Sequence, residues 1–320
     1  MPTASLVSLD DIRAARSRLE GVARRTPVLP ASSEPGWAHL RVKCENLQTT
    51  GAFKLRGAYN LISQIDPAVR ARGVVTYSSG NHGQAVAWAA AQLSIPAVVV
   101  MPTTAPAVKI DGTRAYGAEV QFAGTTTLHR MAVAEALERE RGLTMVPPFD
   151  DARIIAGQGT VGLELLEQAL DVTVVYVPMG GGGLASGVAE AVKASAPHVR
   201  VVGVEPAGAA KMSESLAAGH PVTLAHSASM ADGLLAVRPG DLTFEHVRAL
   251  VDEVVRVTEE EIADAVRFLA RHTKMVVEPS GATSVAGARR LAPSGSAGVH
   301  VAVVSGGNVE PAVLARLLVS

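Results

Sequence analysis

Short runs of β-branched residues alternate with alanine-rich stretches along most of this chain, and this alternation limits the possible folds. Eight runs are predicted to be strands, in two groups: residues 74–77, 97–101, 119–122 and 145–147, then 172–177, 199–204, 254–257 and 299–304. Helices are predicted between them, for example over residues 83–92, 128–141 and 259–272. The pattern indicates an α/β fold with parallel sheets and helices on both faces. Two groups of strands suggest two sheets.

Lys54 lies in an apolar segment flanked by glycines, TTGAFKLRGA at residues 49–58. Lysine is among the residues least often buried. Burial disfavours the ammonium form, which leaves a neutral amine able to attack a carbonyl group. An ordinary lysine can lie in the same kind of segment, with its stem packed on apolar neighbours and its ammonium group in water. Lys54 therefore becomes a candidate nucleophile only together with further motifs.

Three more segments place small residues directly after a predicted strand: GGGGLASG at residues 180–187, SSGNHG at 78–83 and SGGN at 305–308. Four consecutive glycines at the start of a helix present bare backbone N–H groups, which suit a phosphate dianion. Each of the other two segments alone is an ordinary strand-to-turn boundary. All four segments together predict a site for a phosphorylated aromatic cofactor.

In these residues the chain resembles the fold-type II pyridoxal-phosphate enzymes of the threonine/serine dehydratase and serine racemase family. The four segments, ADG at residues 231–233 and VEPSGA at 277–282 follow in the order of the family. The resemblance runs from about Ser8 to the C-terminus. Leu55 and His82 stand where the cysteine-synthase branch typically has aspartate and threonine, so the dehydratase branch is favoured.

The resemblance implies a two-domain architecture. Residues 1–72 and 151–320 would form a large cofactor-binding domain, and residues 73–150 a small domain that carries the substrate loop. Because the sequence ends one helix after Ser305, we expect no C-terminal regulatory module of the kind found in biosynthetic threonine dehydratases, and no feedback inhibition by isoleucine.

The resemblance also implies the cofactor, pyridoxal 5′-phosphate, and a role for each residue that would hold it. Lys54 would bind the cofactor covalently, release it to the substrate amine and then remove the Cα proton. Ser305 would face the pyridine nitrogen, and Asn81 would donate to the ring 3′ oxygen. The full set of cofactor-binding residues is Phe53, Lys54, Asn81, Gly180, Gly181, Gly182, Gly183, Leu184 and Ser305.

The loop at residues 78–82 is expected to bind the substrate carboxylate through backbone amides and hydroxyl groups. Its members are Ser78, Ser79, Gly80, Asn81 and His82. Ser79 is also a candidate catalytic residue, as the acid on the face opposite Lys54. For His82, a purely structural role is an open alternative.

These expectations point to elimination of water from L-threonine or L-serine, giving a 2-oxo acid and ammonia. One alternative is an amino-acid racemase, such as a serine racemase, that uses Ser79 as a proton donor. Another is a dehydratase of a larger 3-hydroxy amino acid, such as hydroxyaspartate or phenylserine. A non-catalytic ligand-binding or sensor protein with the same pocket is a further alternative, which the complete set of motifs disfavours.

No metal site is expected, because the chain departs from its relatives at one position. Many relatives bind Mg²⁺ or Ca²⁺ through a glutamate, a carbonyl four residues on and an acidic side chain two residues further. Glu205 and Ala209 keep the first two places, but Lys211 takes the third. An ammonium group would repel a cation that needs oxygen ligands. Lys211 is expected either to pair with Glu205 or to point to solvent.

Composition excludes several other functions. A net charge of −1 and 3% aromatic residues give no basis for nucleic-acid binding. No apolar run is long enough to span a bilayer, and the N-terminus has no signal-peptide core. Cys44 is the only cysteine, so no intrachain disulfide forms and a cytoplasmic location is the expectation. The expected partners are a small amino-acid substrate and further copies of the chain, as a homodimer or homotetramer.

Overall fold

A computed structural model describes residues 5–78, 80–105 and 107–319, which form ten strands and thirteen α-helices. The strands are β1 Val28–Pro30, β2 Leu40–Cys44, β3 Val74–Tyr77, β4 Ala97–Met101, β5 Glu119–Phe122, β6 Thr144–Met145, β7 Val174–Pro178, β8 Arg200–Pro206, β9 Glu253–Val257 and β10 His300–Val304. The helices are α1 Leu9–Leu19, α2 Lys54–Ile62, α3 Pro67–Arg70, α4 Asn81–Gln92, α5 Ala107–Arg114, α6 Thr127–Arg141, α7 Ala152–Gln168, α8 Gly183–Ser195, α9 Lys211–Ala218, α10 Asp241–Leu250, α11 Glu259–Thr273, α12 Pro279–Leu291 and α13 Pro311–Val319.

The larger sheet has six strands in the order β1-β2-β10-β7-β8-β9. Five of them run parallel, and only the edge strand β1 is antiparallel to its neighbour. Every residue of β7 and β10 is buried, because helices cover both faces of the sheet. The predicted α/β class with parallel sheets and flanking helices is confirmed.

The smaller sheet has four parallel strands in the order β5-β4-β3-β6. All four come from the first predicted group, and all lie between residues 73 and 150. The limits of the two domains stay a prediction. Of the chain that the structure describes, no helix has both the length and the apolar character needed to cross a membrane.

Strands β1 and β2 were absent from the sequence prediction, for a physical reason. β2 reads LRVKC, so charged residues interrupt the apolar run that identifies the other buried strands. Its Lys43 is nevertheless fully buried, because the ammonium group donates to Glu164 at 2.7 Å and to the carbonyl oxygen of Thr26 at 2.6 Å. β1 has only three residues, too few to show a period.

A network of buried charged side chains holds α2 in place. Arg56 donates to Glu45 at 2.8 Å and to Glu164 at 2.7 Å, and Lys43 shares the Glu164 carboxylate. Burial alone would raise the pKa of Glu45, but Arg56 and Lys43 hold it below its ordinary value. Removing one member of such a pair costs about 3–5 kcal/mol. The network therefore fixes the helix whose first residue is Lys54.

Close backbone packing fixes the other side of α2. Gly57 and Gly157 face each other where α2 crosses α7, and a Cβ on Gly157 would overlap the Gly57 backbone. The short distance between these helices therefore depends on glycine at the crossing.

Candidate active site

The segments singled out from the sequence meet at the carboxyl ends of the strands. The glycine loop follows β7, the SGGN segment follows β10, and the SSGNHG segment follows β3 of the smaller sheet. Ligands of open parallel sheets bind at this edge, because the loops there connect strands to helices.

Lys54 is the first residue of α2, and its amine donates to the carbonyl oxygen of Pro148 at 2.7 Å. The amine lies 5.1 Å from the centroid of the Phe53 ring. No described carboxylate pairs with it, and burial lowers the pKa of Lys54 to about 8. About a tenth of the amine is then neutral at pH 7, far more than for an exposed lysine.

The four glycines form a cradle at the start of α8, which begins at Gly183. Gly182 has φ +103°, and a Cβ on Gly181 would overlap the ring of Phe149. The hydroxyl of Thr243 donates to the carbonyl oxygen of Gly181 at 2.6 Å. The first N–H groups of a helix have no acceptor within the helix. The cradle therefore offers free N–H groups, including that of Leu184, to an anion.

Ser305 follows β10 and lies beside the lysine loop. Its carbonyl oxygen accepts the Phe53 N–H at 3.1 Å, and the residue is only 4% exposed. Its hydroxyl makes no hydrogen bond to any described residue. A hydroxyl group at this position, close to Lys54, can donate a hydrogen bond to a ring nitrogen.

Asn81, at the start of α4, joins the two sheets through its amide. Asn308 donates to Asn81 Oδ1 at 2.9 Å, and Asn81 Nδ2 donates to Glu278 Oε1 at 2.6 Å. Asn308 also donates to the carbonyl oxygen of Thr50 at 2.8 Å, which fixes its own amide. One N–H of Asn81 remains available for a ligand atom.

The substrate loop is partly described. The Gly80 N–H donates to the hydroxyl of Ser78 at 3.2 Å, and Gly80 precedes the first turn of α4. Ser79 lies outside the described residues.

The His82 ring is buried, and its Nε2–H donates to the carbonyl oxygen of Val146 at 3.0 Å. Burial and the nearby Lys54 lower the pKa of His82 to about 3, so this side chain is neutral. The geometry favours the structural alternative for the ring and leaves the backbone N–H for a substrate.

Lys211 differs from both expectations made for it. It is fully buried rather than facing solvent, and it donates to the carbonyl oxygens of Leu234 at 2.7 Å, Ala209 at 2.8 Å and Met179 at 3.3 Å. It forms no ion pair with Glu205 within 4.0 Å.

The Glu205 carboxylate instead accepts the N–H groups of Met212 and Ser213 at the start of α9, at 3.1 and 2.9 Å. Direct pairing is therefore wrong, because each group finds backbone partners. The negative charge of Glu205 still acts on Lys211 at longer range. Within the described residues, no three His, Cys, Asp or Glu side chains are grouped so as to hold a metal.

Three residues without a predicted role also contact predicted site residues: Glu278, Asn308 and Phe149. The sequence did contain a signal that Glu278 is unusual. It is a glutamate in an apolar stretch, between Val277 and Pro279, at the start of a helix. Asn308 belongs to the SGGN segment. Phe149 has no local signal, because its role depends on contact with glycines more than thirty residues away.

The residues present fit pyridoxal phosphate. A glycine cradle with free N–H groups suits its phosphate, the Ser305 hydroxyl suits its ring nitrogen, and the free Asn81 N–H suits its ring oxygen. Lys54 supplies an amine for the aldehyde. Gly181 and Gly306 are closely packed at the site, since a Cβ would meet Phe149 or the carboxyl group of Glu278.

Comparison with known proteins agrees with this chemistry. The chain is 44% identical to an L-threonine ammonia-lyase of Thermotoga maritima over 316 residues, which cover 98% of this chain and 78% of that protein. It is 41% identical to an L-threo-3-hydroxyaspartate ammonia-lyase of a Pseudomonas species, over 98% of this chain and 99% of that one. The solved structure of maize serine racemase matches with a TM-score of 0.91 and 40% identity, covering 98% of this chain and 97% of that one. The family model for pyridoxal-phosphate dependent enzymes matches residues 19–306, so this chain belongs to that family of enzymes.

Proposed function

We propose that this enzyme eliminates water from L-threonine or L-serine and releases a 2-oxo acid and ammonia. The observation that carries the proposal is the position of Lys54. Its partly neutral amine has no described carboxylate partner and lies beside Phe53, whose N–H donates to Ser305. The amine is also near enough to His82 of the SSGNHG loop to lower the pKa of that ring. The similarity to the Thermotoga L-threonine ammonia-lyase supports this choice of reaction.

Pyridoxal phosphate, when bound, supplies an electron sink for the bond broken at the substrate Cα. The phosphate would lie against the N–H groups of Gly180 to Leu184, and Asn81 would donate to the ring oxygen. Ser305 contributes a neutral hydroxyl rather than a carboxylate, so it does not hold the ring nitrogen protonated. A hydroxyl at this position would leave the ring nitrogen neutral, and this would favour elimination of a β-hydroxyl over reactions that need a stronger electron sink.

The protein groups then act on the substrate. The backbone N–H groups of Gly80 and His82, with the Ser78 hydroxyl, would hold the carboxylate. Lys54 would remove the Cα proton in its neutral form. As the Cα–H and Cβ–O bonds break, a C=C bond forms and the hydroxyl leaves with a proton as water. The resulting enamine tautomerises to an imine, and water hydrolyses it to the 2-oxo acid and ammonia.

Two alternatives keep the same site. Similarity to maize serine racemase supports racemisation, in which Ser79 would return a proton opposite Lys54. Similarity to the hydroxyaspartate ammonia-lyase supports a larger 3-hydroxy amino acid as substrate, and phenylserine is a further possibility.

One assay separates these reactions. Purified enzyme with added cofactor is incubated with L-threonine, L-serine, 3-hydroxyaspartate and phenylserine, and both oxo-acid release and substrate chirality are followed. We expect the fastest oxo-acid release from threonine or serine. Faster release from hydroxyaspartate, or racemisation without release, would replace the proposal. Absence of any turnover would favour a ligand-binding protein.

We also propose a cytoplasmic location and a homodimer or homotetramer. The single cysteine supports the location, since Cys44 has no partner for an intrachain disulfide, as is usual in a reducing compartment. Light scattering of the purified holoenzyme measures the oligomer number, and a monomer would contradict the proposed state.

A further inference from the structure

Glu278 is a buried acid to which the reaction described above gives no role. It precedes α12, is 3% exposed, and accepts the Asn81 Nδ2–H through Oε1 at 2.6 Å. The Gly306 backbone lies against the same oxygen, since a Cβ on Gly306 would overlap it. In the described chain no basic side chain forms an ion pair with Glu278.

Two charges of opposite sign act on Glu278, and the one that opposes its ionisation has the larger effect. The ionisable groups acting on it are Asp232, in the 3₁₀ turn Asp232–Leu234, and Lys109 of α5. Lys109 is already bonded to Asp232 at 2.5 Å. From α4 and from the chain after β10, Glu278 meets only the neutral Asn81 amide and the Gly306 backbone.

Burial, and then the charge on Asp232, raise the pKa of Glu278 to about 8, while Asn81 and Lys109 lower it less. Glu45 provides a contrast within the same chain. It is also fully buried, but Arg56 lies beside it and its pKa is below the ordinary value. A buried carboxyl group without such a cation is favoured in its neutral form.

We propose that Glu278 is a positioning residue, held as a carboxylic acid, which fixes the Asn81 amide for the ring oxygen of the cofactor. This inference rests on the proposed cofactor site. Asn308 and Glu278 hold the two ends of the Asn81 amide, so one N–H of Nδ2 is left for a ligand atom. Ionised Glu278 places a negative charge beside that N–H and repels an anionic ring oxygen.

The sign of the pH effect follows from this arrangement. Below about pH 8 the carboxyl group of Glu278 is neutral, and Asn81 donates to the ring oxygen of the cofactor. Above this pH the Glu278 carboxylate weakens cofactor binding. One ionisation changes the dissociation constant by at most about tenfold per pH unit. Lys54 also titrates near this pH, but it is present in both proteins when wild type is compared with Glu278→Gln. The ratio of their dissociation constants therefore isolates Glu278.

The first test observes the acid directly in the holoenzyme. Infrared difference spectra of protein labelled with ¹³C-glutamate detect the carbonyl stretch of a protonated carboxyl group. We expect at pH 7 a band that is missing in Glu278→Gln and is lost as the pH is raised through about 8. The exposed Glu20→Gln variant is the matched control and should keep the band. A midpoint below pH 6 would overturn the proposal.

Two neighbouring variants keep the test decisive if Glu278→Gln does not fold. Asp232→Asn removes the repelling charge and should shift the midpoint of the Glu278 band to lower pH. Lys109→Gln removes the attracting charge and should shift it to higher pH. Shifts in the same direction, or no shift in either variant, would contradict the charge arrangement described here.

The second test measures the consequence for the cofactor. Cofactor released from holoenzyme is measured by ultrafiltration between pH 6 and 9.5. We expect the ratio of the wild-type dissociation constant to that of Glu278→Gln to rise with pH above about 8. A ratio independent of pH would overturn the link to Asn81, even with the infrared band present. Neither result depends on the elimination reaction, whose failure the substrate panel would reveal separately.

Discussion

The amine of Lys54 lies 2.7 Å from the carbonyl oxygen of Pro148, and this hydrogen bond joins the lysine loop to the chain that leaves the smaller sheet. Phe149, the next residue, packs against Gly181 and Gly183 of the cradle. The position of the lysine and the shape of the phosphate cradle are therefore set by two adjacent residues.

Gly181→Ala is expected to weaken cofactor binding at least about tenfold, a loss of about 1.4 kcal/mol. The added methyl group would overlap the Phe149 ring and push the glycine loop out of shape. Fluorescence titration of cofactor into the apoprotein measures the affinity. Gly112→Ala is a suitable control, because its methyl group meets only the tip of the Gln84 side chain at 3.4 Å. Equal affinity in both variants would contradict the cradle.

The pKa of Lys54, about 8, makes covalent capture of the cofactor depend on pH. The pKa is lowered, so the neutral amine predominates above pH 8 and the ammonium form below it. The rate at which apoprotein forms the borohydride-reducible linkage should therefore rise from pH 6.5 through pH 8 and level off above about pH 9. Stopped-flow absorbance measures this rate. A rise that continues to pH 10 would mean that the amine is not perturbed by burial.

Lys211→Met is expected to lower the free energy of unfolding by about 1–3 kcal/mol, because the buried carbonyl groups of Met179, Ala209 and Leu234 lose their donor. Since Met179 directly precedes the glycine loop, cofactor affinity should fall as well. Chemical denaturation measures the first effect, and an unchanged midpoint would contradict it. The control is Lys193→Met, because the ion pair of Lys193 is less buried than Lys211.

The expected absence of a divalent metal has its own measurement. Activity should be insensitive to EDTA, because the buried ammonium group of Lys211 would repel a cation beside Glu205. Strong inhibition by EDTA that Mg²⁺ reverses would show that a metal is needed.

Ser79→Ala separates the two reaction types. As the expected acid on the face opposite Lys54, Ser79 should be required for racemisation and much less for elimination. The variant should keep substantial oxo-acid release from an L-substrate and lose any racemase activity, as measured by chiral chromatography. A loss of elimination as complete as that in Lys54→Ala would contradict this division.

The fold was largely predictable from the sequence, because its buried strands are continuous β-branched runs, such as those of β4 and β10. β2 was not predictable, since its Lys43 is buried only through partners on α7 and in the loop before β1. Such a strand shows its burial only in three dimensions.

Candidate site residues could be proposed from the sequence where the chemistry is local to one segment, as in the glycine loop and the Lys54 segment. The Asn81–Glu278 contact joins residues 197 positions apart, and no local pattern reveals it. The His82 ring is a similar case, because the loop position alone does not show that the ring turns inward to Val146.

Locating the cofactor linkage tests most directly whether Lys54 is the residue that binds pyridoxal phosphate. Holoenzyme is reduced with borohydride, digested, and mapped by mass spectrometry, alongside Lys54→Ala. We expect the cofactor on Lys54 in the wild type, and we expect the variant to lack both the linkage and oxo-acid release from threonine. Cofactor on another lysine, or a reducible linkage in Lys54→Ala, would contradict this expectation.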